Sequence, residues 1–189
     1  PSYGAILGFS ACYNAQGLQV SKNAMDHLYT PWRMAYIRGE KKPVEGCIFC
    51  NLAADFENDS QIVARSEHVY VTMNLYPYNN GHVMIVPYEH VQSQEQLPPE
   101  ALTDLMVTAN RAMSALRKLY NPAGFNIGAN VGWAAGAGIA EHYHFHIVPR
   151  WNGDANFMTV VAETRVIPDT LENIYRELKT VWEELYGSK

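Results

Sequence analysis

Three of the chain's seven histidines fall within five residues: His142, His144 and His146. Histidine's unperturbed pKa lies near neutrality, so such a row can attack an electrophile, move protons or bind a metal. Alternate side chains of a strand share a face. That puts the three imidazoles on one side and Tyr143, Phe145 and Ile147 on the other, as an apolar anchor. Three readings compete: a solvated strand face, a three-histidine zinc site, and a nucleophilic histidine flanked by helpers. At about 3.3 Å per residue, His142 and His146 stand about 13 Å apart along a strand. Zinc takes nitrogens at about 2.0–2.1 Å, so two neighbours can share an ion but three only with much bending. The nucleophile is the preferred reading.

A second constellation is Cys47-Ile48-Phe49-Cys50. On its own, C-x-x-C fits half a zinc site, a redox pair or two inert core thiols. Redox use wants a helix start in a thioredoxin-like βαβ setting, and the surrounding sequence lacks that pattern. The loop Gly132-Trp133-Ala134-Ala135-Gly136-Ala137-Gly138 can bring bare backbone N–H groups to phosphates, with Gly136 and Gly138 as candidate contacts. Its plainer role is a flexible connection. It carries no Gly-Lys-Ser/Thr and so is not a Walker loop. His82, directly after Gly81, reads either as a phosphate neighbour or as a buried, hydrogen-bonded core histidine.

The spacing His-φ-His-φ-His-φ-φ, with φ apolar, resembles the signature of the histidine-triad (HIT) superfamily of nucleotide hydrolases and transferases. Upstream, Asn74-Leu75-Tyr76-Pro77-Tyr78-Asn79-Asn80-Gly81-His82-Val83-Met84-Ile85-Val86-Pro87 is similar to that family's core. Arg150-Trp151-Asn152-Gly153-Asp154-Ala155-Asn156-Phe157 looks like its bacterial diadenosine-tetraphosphate phosphorylase and hydrolase branch. The likeness runs from about Met25 to about Lys179. It implies a HIT-like fold whose five-stranded antiparallel sheet joins a second subunit's in a homodimer with ten strands. The nucleophile falls to the middle histidine, His144, and the phosphate contact beside it to His146. Asn74 matches the position of a ribose-binding Asn or Asp, and Asn130 resembles an amide that contacts phosphate. Relatives complete C-x-x-C with a later histidine and the first triad histidine, which here gives a structural Zn2+ held by Cys47, Cys50, His90 and His142. His142 would then serve structure and leave His144 free.

The chemistry follows from the substrate class. Phosphoanhydrides are anionic and sluggish toward water, so a neutral nucleophile with a stable covalent intermediate divides the barrier. Attack by His144 on an α-phosphate gives a nucleotidyl-histidine, released by water or by inorganic phosphate. The resemblance therefore implies an enzyme that cleaves dinucleoside polyphosphates, phosphoanhydrides or phosphoramidates. The alternative is a purine-nucleotide-binding regulatory module that keeps the pocket without turnover.

The elements that must position these groups are legible. Residues 62–65 and 68–73 read as paired strands about a Ser66-Glu67 turn, and 82–86 as a short strand after the turn dipeptide Asn80-Gly81. Pro98 and Pro99 precede an amphipathic helix with the stripe Leu102, Leu105, Met106, Ala109, Met113 and Leu116. Asn121-Pro122-Ala123-Gly124 stops it, and residues 125–129 return as a strand. A second helix over about 169–185 turns Leu171, Ile174, Tyr175, Leu178 and Trp182 inward. Strands joined by turns, with these helices, predict an antiparallel α+β domain. Its edge strand 125–129 and the helix over 100–119 are the expected dimer surface. The alternative is a monomer whose edge is capped by residues 1–24 or by the C-terminal helix.

Composition bounds the rest. A chain of 189 residues suits one domain, read here as 25–189, and a 48% hydrophobic share with 17% charged residues argues against disorder. No apolar run is long enough to span a bilayer. A net charge of −5 opposes a nucleic-acid backbone binder, while a small anionic nucleotide can still be held by local amides and imidazoles. Three cysteines make no disulfide framework and predict a cytoplasmic protein. Residues 1–24 lack clear periodicity and read as a leader or mis-set start, without the features of a secretory signal.

Overall fold

Alternation along the strands builds a sheet whose two central strands, residues 69–73 and 83–87, are buried on both faces. The computed structural model describes residues 45–55, 61–154 and 169–187. The expectations for residues 1–24, for the start at Met25 and for 155–157 lie outside them. Helix α1 (Ile48–Ala54) precedes strands β1 (Ile62–Arg65), β2 (Val69–Met73) and β3 (Val83–Pro87). Helix α2 (Pro99–Tyr120), β4 (Gly124–Gly128), β5 (Phe145–Arg150) and helix α3 (Leu171–Tyr186) follow. The strands form one five-stranded sheet in the order β1-β2-β3-β5-β4, and every pairing is antiparallel.

Odd-numbered residues of the central strands (Val69, Val71, Met73, Val83, Ile85 and Ile147) join the core beneath the two long helices. Even-numbered Tyr70, Met84 and Val86 join Ile62 and Phe49 in a smaller cluster on the opposite face. Period-two patterning thus yields two hydrophobic layers, and the second carries the site. No helix among the described residues is long and apolar enough to cross a membrane.

Helix α2 starts with Pro99 at a position where a missing N–H does no harm. It ends at Asn121, whose φ of 45° is left-handed and breaks the helix. The expected stripe is corrected in one respect. Met106 is exposed, and the face toward the sheet is instead Ala101, Leu105, Thr108, Ala109, Ala112, Ala115 and Leu116. A sequence reading weights the larger apolar residues, whereas small side chains let the helix settle close to its neighbours. Helix α3 turns Ile174, Leu178 and Trp182 inward as expected, with Leu171 and Tyr175 half-buried. Gly81 explains how α2 meets the site: its φ is +72°, and an added Cβ would lie 3.0 Å from Leu116 Cδ2 and 3.2 Å from Tyr120 Cε2. The end of α2 therefore sits directly on the turn that introduces His82.

Candidate functional site

The two sequence clusters meet on the face opposite the long helices. Cys47 is the N-cap of α1 and Cys50 lies in its first turn, so one short helix presents both sulfurs. His142 Nδ1 lies 3.2 Å from Cys47 Sγ and 3.5 Å from Cys50 Sγ, and His90 Nδ1 lies 3.3 Å from Cys50 Sγ. All four ligand atoms fall within 4.8 Å of one another. Tetrahedral zinc with ordinary bond lengths separates sulfur from nitrogen by about 3.5 Å, so this quartet fits a metal ion. The ring of His142 is already oriented as a ligand: its Nε2–H donates to the Pro87 carbonyl at 2.9 Å, which leaves Nδ1 bare. Burial and the neighbouring Cys47 push the Cys50 thiol up; a dication would reverse that by favouring thiolates. Cys47 and Cys50 are both free thiols.

Strand β5 begins only at Phe145, so His142 and His144 precede it, contrary to the single-strand expectation. The alternation of faces nevertheless persists. Tyr143, Phe145 and Ile147 pack into the helix-side core, while the three imidazoles lie on the other face. The rings have different partners, which excludes one shared ion in this arrangement. His144 Nδ1–H donates to the carbonyl of His142 at 2.8 Å, so its Nε2 carries the free lone pair. Burial lowers the pKa of His144, which favours the neutral ring.

His146 Nδ1 lies 2.9 Å from His82 Nε2, and His146 Nε2 is buried with no hydrogen-bond partner among the described residues. Burial first, then His144, holds the His146 pKa down to about 4. His82 is itself fully buried. Its Nδ1 accepts the Tyr78 backbone N–H at 3.0 Å, and burial, His146 and His144 lower its pKa to about 3. His82 therefore realises the core-histidine alternative and reaches the site through His146.

The loop between β2 and β3 is closed on itself. The Asn74 N–H donates to the His82 carbonyl, Asn74 Oδ1 accepts the Tyr76 N–H at 2.8 Å, and Asn74 Nδ2 lies 3.3 Å from His82 Nδ1. A ribose contact by Asn74 would require these bonds to be exchanged. Asn79 Nδ2 donates to the Pro149 carbonyl and to Asp154 Oδ2, which also accepts Arg150 Nε at 2.6 Å. These bonds pin the loop to the end of β5.

The glycine loop folds into a single 3-10 turn, Trp133–Ala135. The N–H groups of Ala135 and Ala137 close on the Gly132 carbonyl and that of Gly136 on the Trp133 carbonyl. Gly136, at φ +86°, thus supplies a left-handed turn and not the bare amide expected of it. Gly138 is exposed and Asn130 half-buried, and a Cβ at Gly132, Gly136 or Gly138 would meet nothing within 4 Å. The loop therefore borders open space.

Two residues of the site are not apparent from the sequence. Phe49 packs its ring 5.4 Å from His142 and 5.1 Å from His144, so it touches both the cysteine cluster and the middle triad histidine. Its only signal is an aromatic inside C-x-x-C. Tyr78 stacks 4.7 Å from His82 and 5.8 Å from His146, and nothing in its spacing distinguishes it from Tyr76.

Comparison with known proteins agrees with this geometry. The HIT domain model matches residues 55–153. The chain is 37% identical over 170 residues to the "AP-4-A phosphorylase" of Mycobacterium tuberculosis (strain ATCC 25618 / H37Rv), covering 85% of this chain and 86% of that protein. It is 32% identical over 99 residues to the "Bis(5'-nucleosyl)-tetraphosphatase [asymmetrical]" of Schizosaccharomyces pombe (strain 972 / ATCC 24843), covering 52% of this chain and 54% of the relative. A zinc-bound histidine triad family protein from Mycobacterium smegmatis superposes with a TM-score of 0.61 at 27% identity, over 76% of this chain and 98% of that one. A matched family model, a relative sharing most of the chain's length and a common fold all agree with the triad's geometry: the chain belongs to the HIT family.

Proposed function

We propose that the protein is a nucleotidyl-transferring enzyme that cleaves dinucleoside polyphosphates, of which diadenosine tetraphosphate is the test case, through His144. The observation that carries this reading is the hydrogen bond from His144 Nδ1 to the His142 carbonyl. It leaves Nε2 bare on a neutral, buried ring, as a nucleophile requires. Attack by Nε2 on the α-phosphorus forms a P–N bond and breaks a P–O anhydride bond, and a nucleoside polyphosphate departs. The ring gains positive charge as the bond forms, and the His142 carbonyl stabilises it. Oxygen from water or inorganic phosphate then takes the nucleotide and the P–N bond breaks, restoring His144. His146 faces the phosphate, and the open border of the glycine loop, with Gly138 and Asn130, receives the remaining phosphates. The names of two relatives, a phosphorylase and an asymmetrical tetraphosphatase, support this substrate class.

Zn2+ fits the quartet Cys47, Cys50, His90 and His142 as a structural ion, and a zinc-bound neighbour of the same fold supports it. Such a thiolate site fits a reducing, cytoplasmic compartment. A homodimer fits the β4 edge, where Ile127 is exposed together with Met106 and Val107 of α2.

Incubation with diadenosine tetraphosphate, with and without inorganic phosphate, followed by chromatography tests the function. ATP plus ADP identifies phosphorolysis and ATP plus AMP asymmetric hydrolysis. Unchanged substrate that still binds identifies a regulatory module and overturns the enzyme reading.

A further inference from the structure

The proton positions on His82 and His146 follow from one backbone amide. The Tyr78 N–H can only donate, so His82 Nδ1, 3.0 Å away, must be the accepting nitrogen. Asn74 Nδ2 lies 3.3 Å from Nδ1 and 3.4 Å from Nε2, so the choice between the two nitrogens rests on the Tyr78 amide. On a neutral His82 ring the proton is then on Nε2. That N–H points at His146 Nδ1 across 2.9 Å and makes it an acceptor in turn. The His146 proton must therefore be on Nε2, the nitrogen that is buried without a partner among the described residues. His146 is only 9% exposed, and an unmet N–H at that depth is costly unless a ligand oxygen completes it. Tyr78 packs against both rings, 4.7 Å from His82 and 5.8 Å from His146. The low pKa values of both rings, about 3 and about 4, are in keeping with neutral tautomers near neutrality.

We infer that His82 is a positioning residue: it relays the direction of the Tyr78 amide and fixes His146 as the Nε2–H tautomer, a buried donor for a substrate phosphate oxygen. The tautomer stands on geometry alone, while the phosphate contact rests on the proposed function. The relay differs from direct contact, because His82 itself is sealed from any ligand. A neutral donor held in place suits an oxygen whose charge grows during transfer, where one oriented donor is worth on the order of 10²–10³ in rate.

Long-range proton–nitrogen correlation spectra of the full chain labelled with nitrogen-15 histidine test the tautomer directly, without nucleotide and at neutral pH. A His146→Gln spectrum assigns the signals. We expect a protonated Nε2 and a bare Nδ1 on His146; the opposite pattern overturns the relay. His82→Gln supplies one acceptor and one donor and should keep the tautomer and most of kcat. His82→Leu supplies neither, should allow the Nδ1–H form, and should lower kcat by about tenfold to a hundredfold with little change in KM. Equal kcat in a folded His82→Leu, or a KM effect alone, contradicts the relay; if that variant does not fold, the wild-type spectrum still decides. A wild-type protein with the stated tautomer and no nucleotide turnover would overturn the proposed function and leave the relay standing.

Discussion

The carbonyl of His142 accepts the Nδ1–H of His144 at 2.8 Å, so the residue that closes the cysteine cluster also sets the tautomer of the middle triad histidine. His142 has no slack to give. Its Nε2–H is held by Pro87, its Nδ1 faces Cys47 and Cys50, and Phe49 packs on its ring. The cluster is thus one residue's backbone away from His144 Nδ1.

Metal content follows from this arrangement. Protein purified without added metal should hold about one zinc per chain, as a closed four-ligand site requires. Cys47→Ser should lose it and unfold at least about 5–10 °C lower, because metal binding is coupled to folding. Elemental analysis with thermal melts checks both. Metal-free protein of unchanged stability would make the cysteines ordinary core thiols.

Acid should destabilise the fold through the buried histidine pair. His82 and His146 titrate at about 3 and about 4 when folded, against an ordinary value of 6.5. The unfolded chain takes up these protons first. Their stabilising effect is therefore complete above pH 6.5 and is lost as pH falls toward about 4 and then about 3. Each contributes a slope of up to about 1.4 kcal/mol per pH unit within its window. Melts from about pH 7 to about pH 5 should show a falling midpoint, with a shallower fall in His82→Gln. Equal slopes would show that His82 takes up no extra proton on unfolding.

Gly81→Ala should destabilise by about 1–3 kcal/mol, because it combines a left-handed backbone with a close approach to Leu116 and Tyr120. Gly124→Ala has open space and no positive φ, and should stay within about 0.5 kcal/mol of wild type. Denaturant titration of the two variants separates backbone strain from loss of flexibility; equal effects would refute the contact.

Light scattering at micromolar concentration should give twice the 21.3 kDa chain mass. Ile127→Asp, on the exposed β4 edge, should return the monomer value by placing charge in the contact. A wild-type monomer would sink the dimer, and an unchanged dimer in the variant would move the contact elsewhere.

Local periodicity carries most of the fold into view. The alternation of His142 to Ile147 survives although β5 begins only at Phe145, with Tyr143, Phe145 and Ile147 all on the helix-side core. The C-x-x-C cluster meets His90 and His142 as the resemblance implies. What stays hidden depends on segments distant in sequence. Phe49 reaches His142 and His144 only once α1 is placed, and His82 acquires its orientation from Tyr78 and His146 together. Met106 is misplaced by the stripe because apolar spacing registers size and not closeness of approach. Gly136 looks like a bare amide because composition does not show that a 3-10 turn will close on Trp133.

The most direct measurement compares consumption of diadenosine tetraphosphate by wild type and His144→Ala, with nucleotide binding followed alongside. Removing the Nε2 nucleophile should reduce turnover by at least about a thousandfold, as loss of a covalent nucleophile does. Binding should persist within a few-fold, and His144→Gly supplied with a nucleotidyl-imidazole should regain part of the product. A His144→Ala protein that keeps more than about a hundredth of the wild-type rate, far above that expectation, would contradict nucleotidyl transfer through this histidine.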